Sequence, residues 1–288
     1  MTPDDYEYLR RLLKQRSGLV LGDDKQYLAE SRLLPVARRA GVVGLSALIE
    51  KLRDGRHESL IVSVVEAMAT NESLFFRDKL PFDHFRDTIM PAMLRARAQQ
   101  KRIRIWCAAA SGGQEPYSLA MTLKDMADQL AGWRVDILAT DFSLQILEKA
   151  KSGIYSQFEV QRGLPIQMLV KYFTQVGEMW QVVPEIRALV QFRPFNLLHD
   201  CGHLGRFDVV FCRNVLIYFD QPTKIQVLDR IASVMEPDGY LVLGAAETVV
   251  GLTSSFKPVP DRRALYGPNR TVGKALPPTA KVLAAAGR

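Results

Sequence analysis

Three polar positions follow directly on apolar runs in this chain of 288 residues: Glu115 in "WCAAASGGQEPYSLAM", Asp141 at the end of "VDILATD", and Arg213-Asn214 at the end of "FDVVFCRN". Acids and amides just past buried strands are where an α/β sheet binds its ligand. The turn before Glu115 is glycine-rich, yet "AAASGGQE" lacks the G-x-G-x-x-G spacing of a dinucleotide site, and no G-x-x-x-x-G-K-[ST] occurs anywhere. A carboxylate at a helix N-terminus would compete with a phosphate for the exposed N–H groups. S-adenosylmethionine suits such a turn, because it carries an α-ammonium and a sulfonium and no phosphate. Glu115 then pairs with the ammonium or shapes the turn; the plainer reading is a helix carboxylate stabilised by the dipole. Asp141 is placed to accept both hydroxyls of a ribose, and as an Asp before "SLQILEKA" it also suits a helix N-cap; both can hold at once. Tyr218 lies one helical turn past Asn214, either orienting an acceptor oxygen through its hydroxyl or packed beneath the site.

Alternating strand-like and helix-like segments must position these residues. Strands are expected at 102–107, 134–139, 189–193, 207–211 and 239–244, with helices at 116–130, 143–151 and 222–235, the pattern of a mostly parallel α/β sheet. A closing antiparallel pair is expected at 256–259 and 263–266. Before the sheet, helices are expected near 3–16, 25–40, 45–54, 57–69 and 82–98. The domain reading is a helical unit over 1–70, a linker over 71–81, a sheet domain over 82–268 with a β excursion at about 173–188 in "TQVGEMWQVVPEIR", and a tail over 269–288 with too little pattern to pack.

Bulk properties narrow the class. With 48% apolar and 24% charged residues the chain reads as a globular protein. No apolar run approaches the roughly 20 residues of a membrane span, and "MTPDDYEYLRRLL" is not a signal peptide, so a cytoplasmic protein without membrane insertion is expected. Cys107, Cys201 and Cys212 lack CxxC spacing and read as reduced thiols. Cys212 reads as a small buried hydrophobe, and the chain lacks the N/D-P-P-Y and Pro-Cys motifs of nucleic-acid methyltransferases. The run "HDCGH" lacks a fourth ligand, so no metal is expected. A net charge of +7 favours an acidic partner without choosing one.

Five ordered stretches, "TNESLFFRD" (70–78), "WCAAASGGQEPYSLAM" (106–121), "LATDFSLQILEKAKSGIY" (138–155), "FNLL" (195–198) and "FDVVFCRNVLIYFD" (207–220), resemble the successive signatures of the bacterial chemotaxis receptor glutamate methyltransferases, the CheR family. The resemblance is collinear from the N-terminal helices to about Tyr266. It implies an all-α N-terminal domain on a Rossmann-like methyltransferase domain bearing a small β-subdomain. It also implies S-adenosylmethionine as cofactor, S-adenosylhomocysteine as product, and glutamates of chemoreceptor cytoplasmic helices as substrate. By position, the family's cofactor contacts fall on Asn71, Ser73, Arg77, Glu115, Asp141, Asn196, Leu197, Arg213 and Asn214. Ser73 stands where many relatives have Thr, and "GGQEP" where "TGEEP" is common. Arg77, with its planar fork of donors, is expected to steer a carboxylate, so Arg77 and Tyr218 are the catalytic candidates.

Lys25, Arg32 and Arg39 recur every seven residues along about 21 Å of the second helix, with Arg38 beside them. The stripe suits an acidic receptor helix; the alternative is a solvated face, and Pro35 threatens to kink the helix. Some relatives dock on a C-terminal receptor peptide through the β-subdomain, and the shorter excursion here argues against that tether. A monomer suffices. A cofactor-binding regulator without turnover is the rival function, and a nucleic-acid methyltransferase a weaker one.

Overall fold

The computed structural model describes residues 1–269; the expected tail falls almost wholly outside the described residues. Four helices open the chain: α1 (Pro3–Ser17), α2 (Gln26–Arg39), α3 (Gly44–Arg53) and α4 (Glu58–Met68). Each turns one apolar stripe inward, so that Leu9, Leu13, Leu33, Leu48, Ile49 and Val64 are fully buried in a core of their own. α1 begins with a Thr2–Asp5 capping box and Pro3, and ends at Gly18 with φ +77°. A side chain at Gly18 would meet the Phe219 ring at 2.9 Å, so the glycine is needed for close approach as well as for its dihedral. α2 runs unbroken through Pro35, which the expected kink did not anticipate, while Lys25 sits in a 3₁₀ turn before it (Asp23–Lys25).

After a connecting segment, α5 (Leu80–His84) passes through a π-helical turn at Phe85–Ile89 into α6 (Met90–Ala96). The sheet region follows in the order β1 (Arg102–Cys107), α7 (Gln114–Asp125), β2 (Arg134–Asp141), α8 (Leu144–Ser152), β3 (Ile154–Ser156), α9 (Gln157–Gln161), α10 (Ile166–Tyr172), β4 (Phe173–Val176), β5 (Met179–Val182), α11 (Pro184–Arg187), β6 (Val190–Pro194), β7 (Phe207–Cys212), α12 (Gln221–Ser233), β8 (Met235–Leu243), β9 (Phe256–Pro258) and β10 (Leu265–Pro268). The large sheet has the order β6-β2-β1-β7-β8-β10-β9, parallel from β6 to β8 and antiparallel at β10 and β9. From β1 the chain winds outward to β2 and β6, then returns to lay β7 on the other side of β1. That reversal opens a crevice above the carboxyl ends of β1 and β7.

The β excursion is larger than the sequence suggested. β3 pairs with β5 through Tyr155 and Trp180, so a three-stranded sheet of order β3-β5-β4 forms, and a strand of three residues is too short to show alternation. Tyr155 is fully buried and its hydroxyl donates to the Gly112 carbonyl at 2.7 Å, so this small sheet also braces the glycine turn after β1.

The helical unit is fastened to the sheet region beside that crevice. Val20 N–H donates to the Tyr218 carbonyl at 2.9 Å, Lys14 pairs with Asp220 at 2.7 Å, and Asn196 Nδ2 donates to the Arg16 carbonyl at 2.7 Å. Asp220 also caps α12 by accepting from Thr223 N–H. The Lys14 ammonium, with Thr223, holds its carboxyl down at about 2. A lowered carboxyl contributes stability in full above its unfolded value, near 3.9, and loses it as pH falls through about 2. Asp220→Ala is expected to cost about 1 kcal/mol at neutral pH, the usual value of an N-cap. In urea titrations its deficit against the parent chain should close as pH approaches 2; a deficit independent of pH would show that the carboxylate is not its source.

Candidate active site

Strand ends, the connecting segment and the end of α1 converge on one cleft. Its walls include Ser17 and Leu19 from the helical unit, Asn71, Ser73 and Arg77 from the segment, and Glu115, Asp141, Asn196, Leu197, Arg213, Asn214 and Tyr218 from the sheet. The nine positions expected to touch a cofactor and the two catalytic candidates thus share one cavity.

At its centre lies Arg213, 5% exposed. Nη1 donates to Glu115 Oε2 at 2.8 Å; Nη2 donates to Asp78 Oδ2 and to the Arg77 carbonyl, each at 2.8 Å. One buried cation therefore holds two carboxylates and the backbone of the catalytic candidate. Burial pushes the Glu115 carboxyl up, with Arg213 opposing. Asp141 accepts Ser111 N–H at 2.9 Å on one oxygen and Ser143 N–H at 3.1 Å on the other. Burial pushes its carboxyl up too, against those N–H donors. A carboxylate offers about four acceptor sites, so two remain for hydroxyls. The N-cap of α8 is Ser143, not Asp141.

The acceptors of the cleft match the groups of S-adenosylmethionine. Glu115 and Asp141 face the cleft from adjacent strand ends, while the nearest cations, Arg213 and Arg77, are respectively bound to acids and to the Glu72 carbonyl (3.3 Å). Gly113 (φ +91°) must be glycine, because a side chain there would meet Tyr155 Oη at 3.0 Å. An ammonium and a ribose suit these acceptors; a pyrophosphate does not. The residues fit the cofactor.

The segment carrying Arg77 is strained. Phe76, Asp78 and Lys79 all have positive φ, at 50°, 67° and 48°, a conformation that costs of order 1 kcal/mol or more per residue unless contacts enforce it. Phe75 anchors one side, fully buried with its ring edge-on to Tyr155 (4.9 Å) and Phe173 (5.5 Å). Phe76 N–H donates to Ser118 Oγ, and Arg213 holds Arg77 and Asp78 on the other side.

Two acids that sequence reasoning missed do much of the positioning. Asp78 is one. Glu247, 8% exposed after β8, is the other: its carboxylate accepts Asn214, Val215, Leu216 and Gly244 N–H at 2.7–3.0 Å, which fixes the loop after β7, with Asn214 at φ 57°. The only hint in the sequence was an acid just past an apolar strand, in "LVLGAAE".

Some expectations need correction. Arg32 is not a free docking cation: Nη1 donates to the Met68 and Ala69 carbonyls at 2.7 and 3.0 Å, closing the end of α4. Lys25 pairs with its neighbour Asp24 at 2.9 Å, whereas Arg38 and Arg39 are exposed. The Asn196 carboxamide is engaged on both atoms, donating to Arg16 and accepting from Leu198 N–H, so its own side chain serves the join with α1. His199, Asp200, Cys201 and His203 do not gather, and among the described residues no group of three metal-ligating side chains occurs. Cys107 and Cys212 are fully buried and their thiols are pushed well up by burial.

The all-α domain of CheR methyltransferases matches residues 4–68, and the SAM binding domain of CheR methyltransferases matches residues 71–265. The chain belongs to the CheR methyltransferase family. It is 42% identical over 264 residues to chemotaxis protein methyltransferase 1 of Vibrio cholerae, covering 90% of this chain and 95% of the relative. It is 42% identical over 259 residues to chemotaxis protein methyltransferase 1 of Pseudomonas aeruginosa (88% and 94% covered). The chemotaxis protein methyltransferase of Escherichia coli is 35% identical over 257 residues (87% and 86%). This CheR-family chain is therefore a methyltransferase dependent on S-adenosylmethionine, with a Rossmann-like sheet behind its cleft.

Glu247→Gln replaces an acceptor of four N–H groups with an amide that presents its own N–H₂ to some of them. The expected result is a loss of about 2–3 kcal/mol in urea denaturation and markedly weaker S-adenosylhomocysteine binding, with the circular dichroism spectrum retained. Unchanged affinity would show that the loop after β7 does not depend on this carboxylate.

Proposed function

We propose that the chain methylates glutamate side chains on the cytoplasmic helices of chemoreceptors, forming methyl esters and releasing S-adenosylhomocysteine, and so tunes chemosensory signalling. The observation that carries this reading is the acid-lined cleft, with Glu115, Asp141 and Arg77 in its walls, in a chain matched over 90% of its length by a chemotaxis protein methyltransferase. The bound cofactor supplies an electrophilic methyl group on a sulfonium. A glutamate acceptor is already ionised near neutral pH, so no strong base is required of the protein. Its task is to position and desolvate.

In this reading Glu115 holds the ammonium, Asp141 the ribose hydroxyls, and Asn71, Ser73, Asn196, Leu197 and Asn214 complete the cofactor pocket. Arg213 keeps Glu115 and the Arg77 segment in register. Arg77 turns its guanidinium fork to a carboxylate. The Tyr218 hydroxyl, which has no partner among the described residues, orients the acceptor oxygen. Residues 1–70 act as the docking domain through Arg38 and Arg39, residues 71–81 link it to a methyltransferase domain ending near 268, and the protein works as a monomer without a receptor tether.

The test is transfer of labelled methyl to a purified receptor cytoplasmic fragment, with release of volatile methanol by mild base. Base-labile label that falls on the order of a hundredfold in Arg77→Ala is expected; cofactor binding without label on the receptor would favour a non-catalytic regulator. Affinity for S-adenosylhomocysteine should also depend on pH. Glu115 and Asp141 have raised carboxyls and must be ionised to hold an ammonium and accept from hydroxyls. Affinity measured by calorimetry should therefore fall on acidification at a pH above the ordinary carboxylate range of about 4–4.5. A flat profile down to pH 4.5 would remove both carboxylates from the binding role.

A further inference from the structure

The other end of the sheet carries a second concave site. The connection from β6 to β7 contains no α-helix, only a 3₁₀ turn at Gly202–Leu204. The face of β6, β2 and β1 beside it is therefore left open as a groove of about 530 Å³. Alternation along the three strands turns Arg102 and Arg104 of β1, Arg134 and Asp136 of β2, and Arg193 of β6 toward that groove. It opens at the amino ends of β1 and β2 and runs along the strands to Arg193, which stands level with Thr140 near the carboxyl end of β6.

Its charge is poorly balanced. Four guanidinium groups face one carboxylate, Asp136, which is shared by Arg102 (2.7 Å) and Arg134 (2.9 Å). Arg102 and Arg134 are direct cross-strand neighbours, an arrangement of like charges that opposes folding. Arg104 is held in place, its guanidinium 4.5 Å above the Phe207 ring while it donates to the Arg206 and Leu204 carbonyls. Burial and the charge of Arg102 make it easier to deprotonate. The next acid, Asp208, is taken by Arg97 at 2.7 Å. Arg193 is exposed and has no partner among the described residues.

We propose that this groove binds a small anion carrying two or more phosphate groups, of nucleotide size. Neighbouring strands lie about 4.8 Å apart, and Arg193 stands about 13 Å along them beyond the level of Asp136, so the forks on β1, β2 and β6 line a strip of nucleotide length, and planar guanidinium groups match phosphate oxygens in pairs. The volume lies within the usual span of small-ligand sites, roughly 300–1,000 Å³. An extended acidic peptide would present its same-side carboxylates about 7 Å apart, wider than the spacing of neighbouring strands. The excess positive charge, unfavourable in the free protein, is neutralised by such a ligand.

The experiment is calorimetric titration of the full chain, saturated with S-adenosylhomocysteine so that the cleft is filled, with sodium pyrophosphate and with ADP at low salt. One equivalent of either should bind. Arg193→Glu, which removes an unpartnered exposed cation, should weaken binding at least about tenfold. Lys257→Glu makes the same charge change on exposed β9 at the far edge of the sheet and should alter it less than about twofold. S-adenosylhomocysteine affinity should be equal in all three proteins. Binding of pyrophosphate alone would support the site and restrict it to free phosphates; binding of ADP with higher affinity would make the nucleotide its ligand. Equal loss in Arg193→Glu and Lys257→Glu, which marks bulk charge only, would overturn the proposal. So would the absence of heat with both probes, or binding confined to a polyglutamate peptide.

Discussion

The fold around the cleft hangs on one buried guanidinium. Arg213 leaves the core at the end of β7 and reaches both Glu115 at the start of α7 and Asp78 in the connecting segment. A cation at 5% exposure is tolerable only because its charge is matched, and removing both acids would leave an uncompensated buried charge. The same group that sets the Glu115 carboxylate therefore also sets the strained backbone beside it. Charged groups that share partners in one buried network behave as a unit, so the energetics of this site are not divisible residue by residue.

Strain and support are arranged in layers around that unit. The left-handed run at Phe76, Asp78 and Lys79 is pinned by Phe75 in the core, by Ser118 on α7 and by Arg213. Glu247 does for the loop after β7 what Arg213 does for the segment before α5, gathering four N–H groups on one carboxylate. The small sheet enters the same scheme through Tyr155 and the Gly112 carbonyl.

Much of this was legible in the sequence, for reasons that differ by element. Buried parallel strands such as Val209–Phe211 announce themselves as apolar runs, and polar residues immediately after them mark the cleft, which is how Glu115, Asp141 and Arg213 could be named. The five ordered motifs carried the family. What escaped was long-range pairing. Nothing local in "RDK" says that Asp78 meets a guanidinium 135 residues later, and nothing in "AESRLL" says that Arg32 closes the end of α4. β3 escaped because three residues cannot display a period, and the true N-cap of α8 because Asp141 and Ser143 are both good caps and only geometry separates them.

Ser17 and Leu19 line the cofactor cleft, while the rest of α1 belongs to a helical core of its own. The wall of one unit is thus the rim of the other's binding site, tied there by Val20, Lys14 and Asn196. Thermodynamic linkage then acts in both directions. Any partner that grips the four helices and shifts α1 against Phe219 must change cofactor affinity, and cofactor binding must change affinity for that partner by the same factor. Recognition of a large substrate and retention of a small one are, in this architecture, two readings of a single equilibrium.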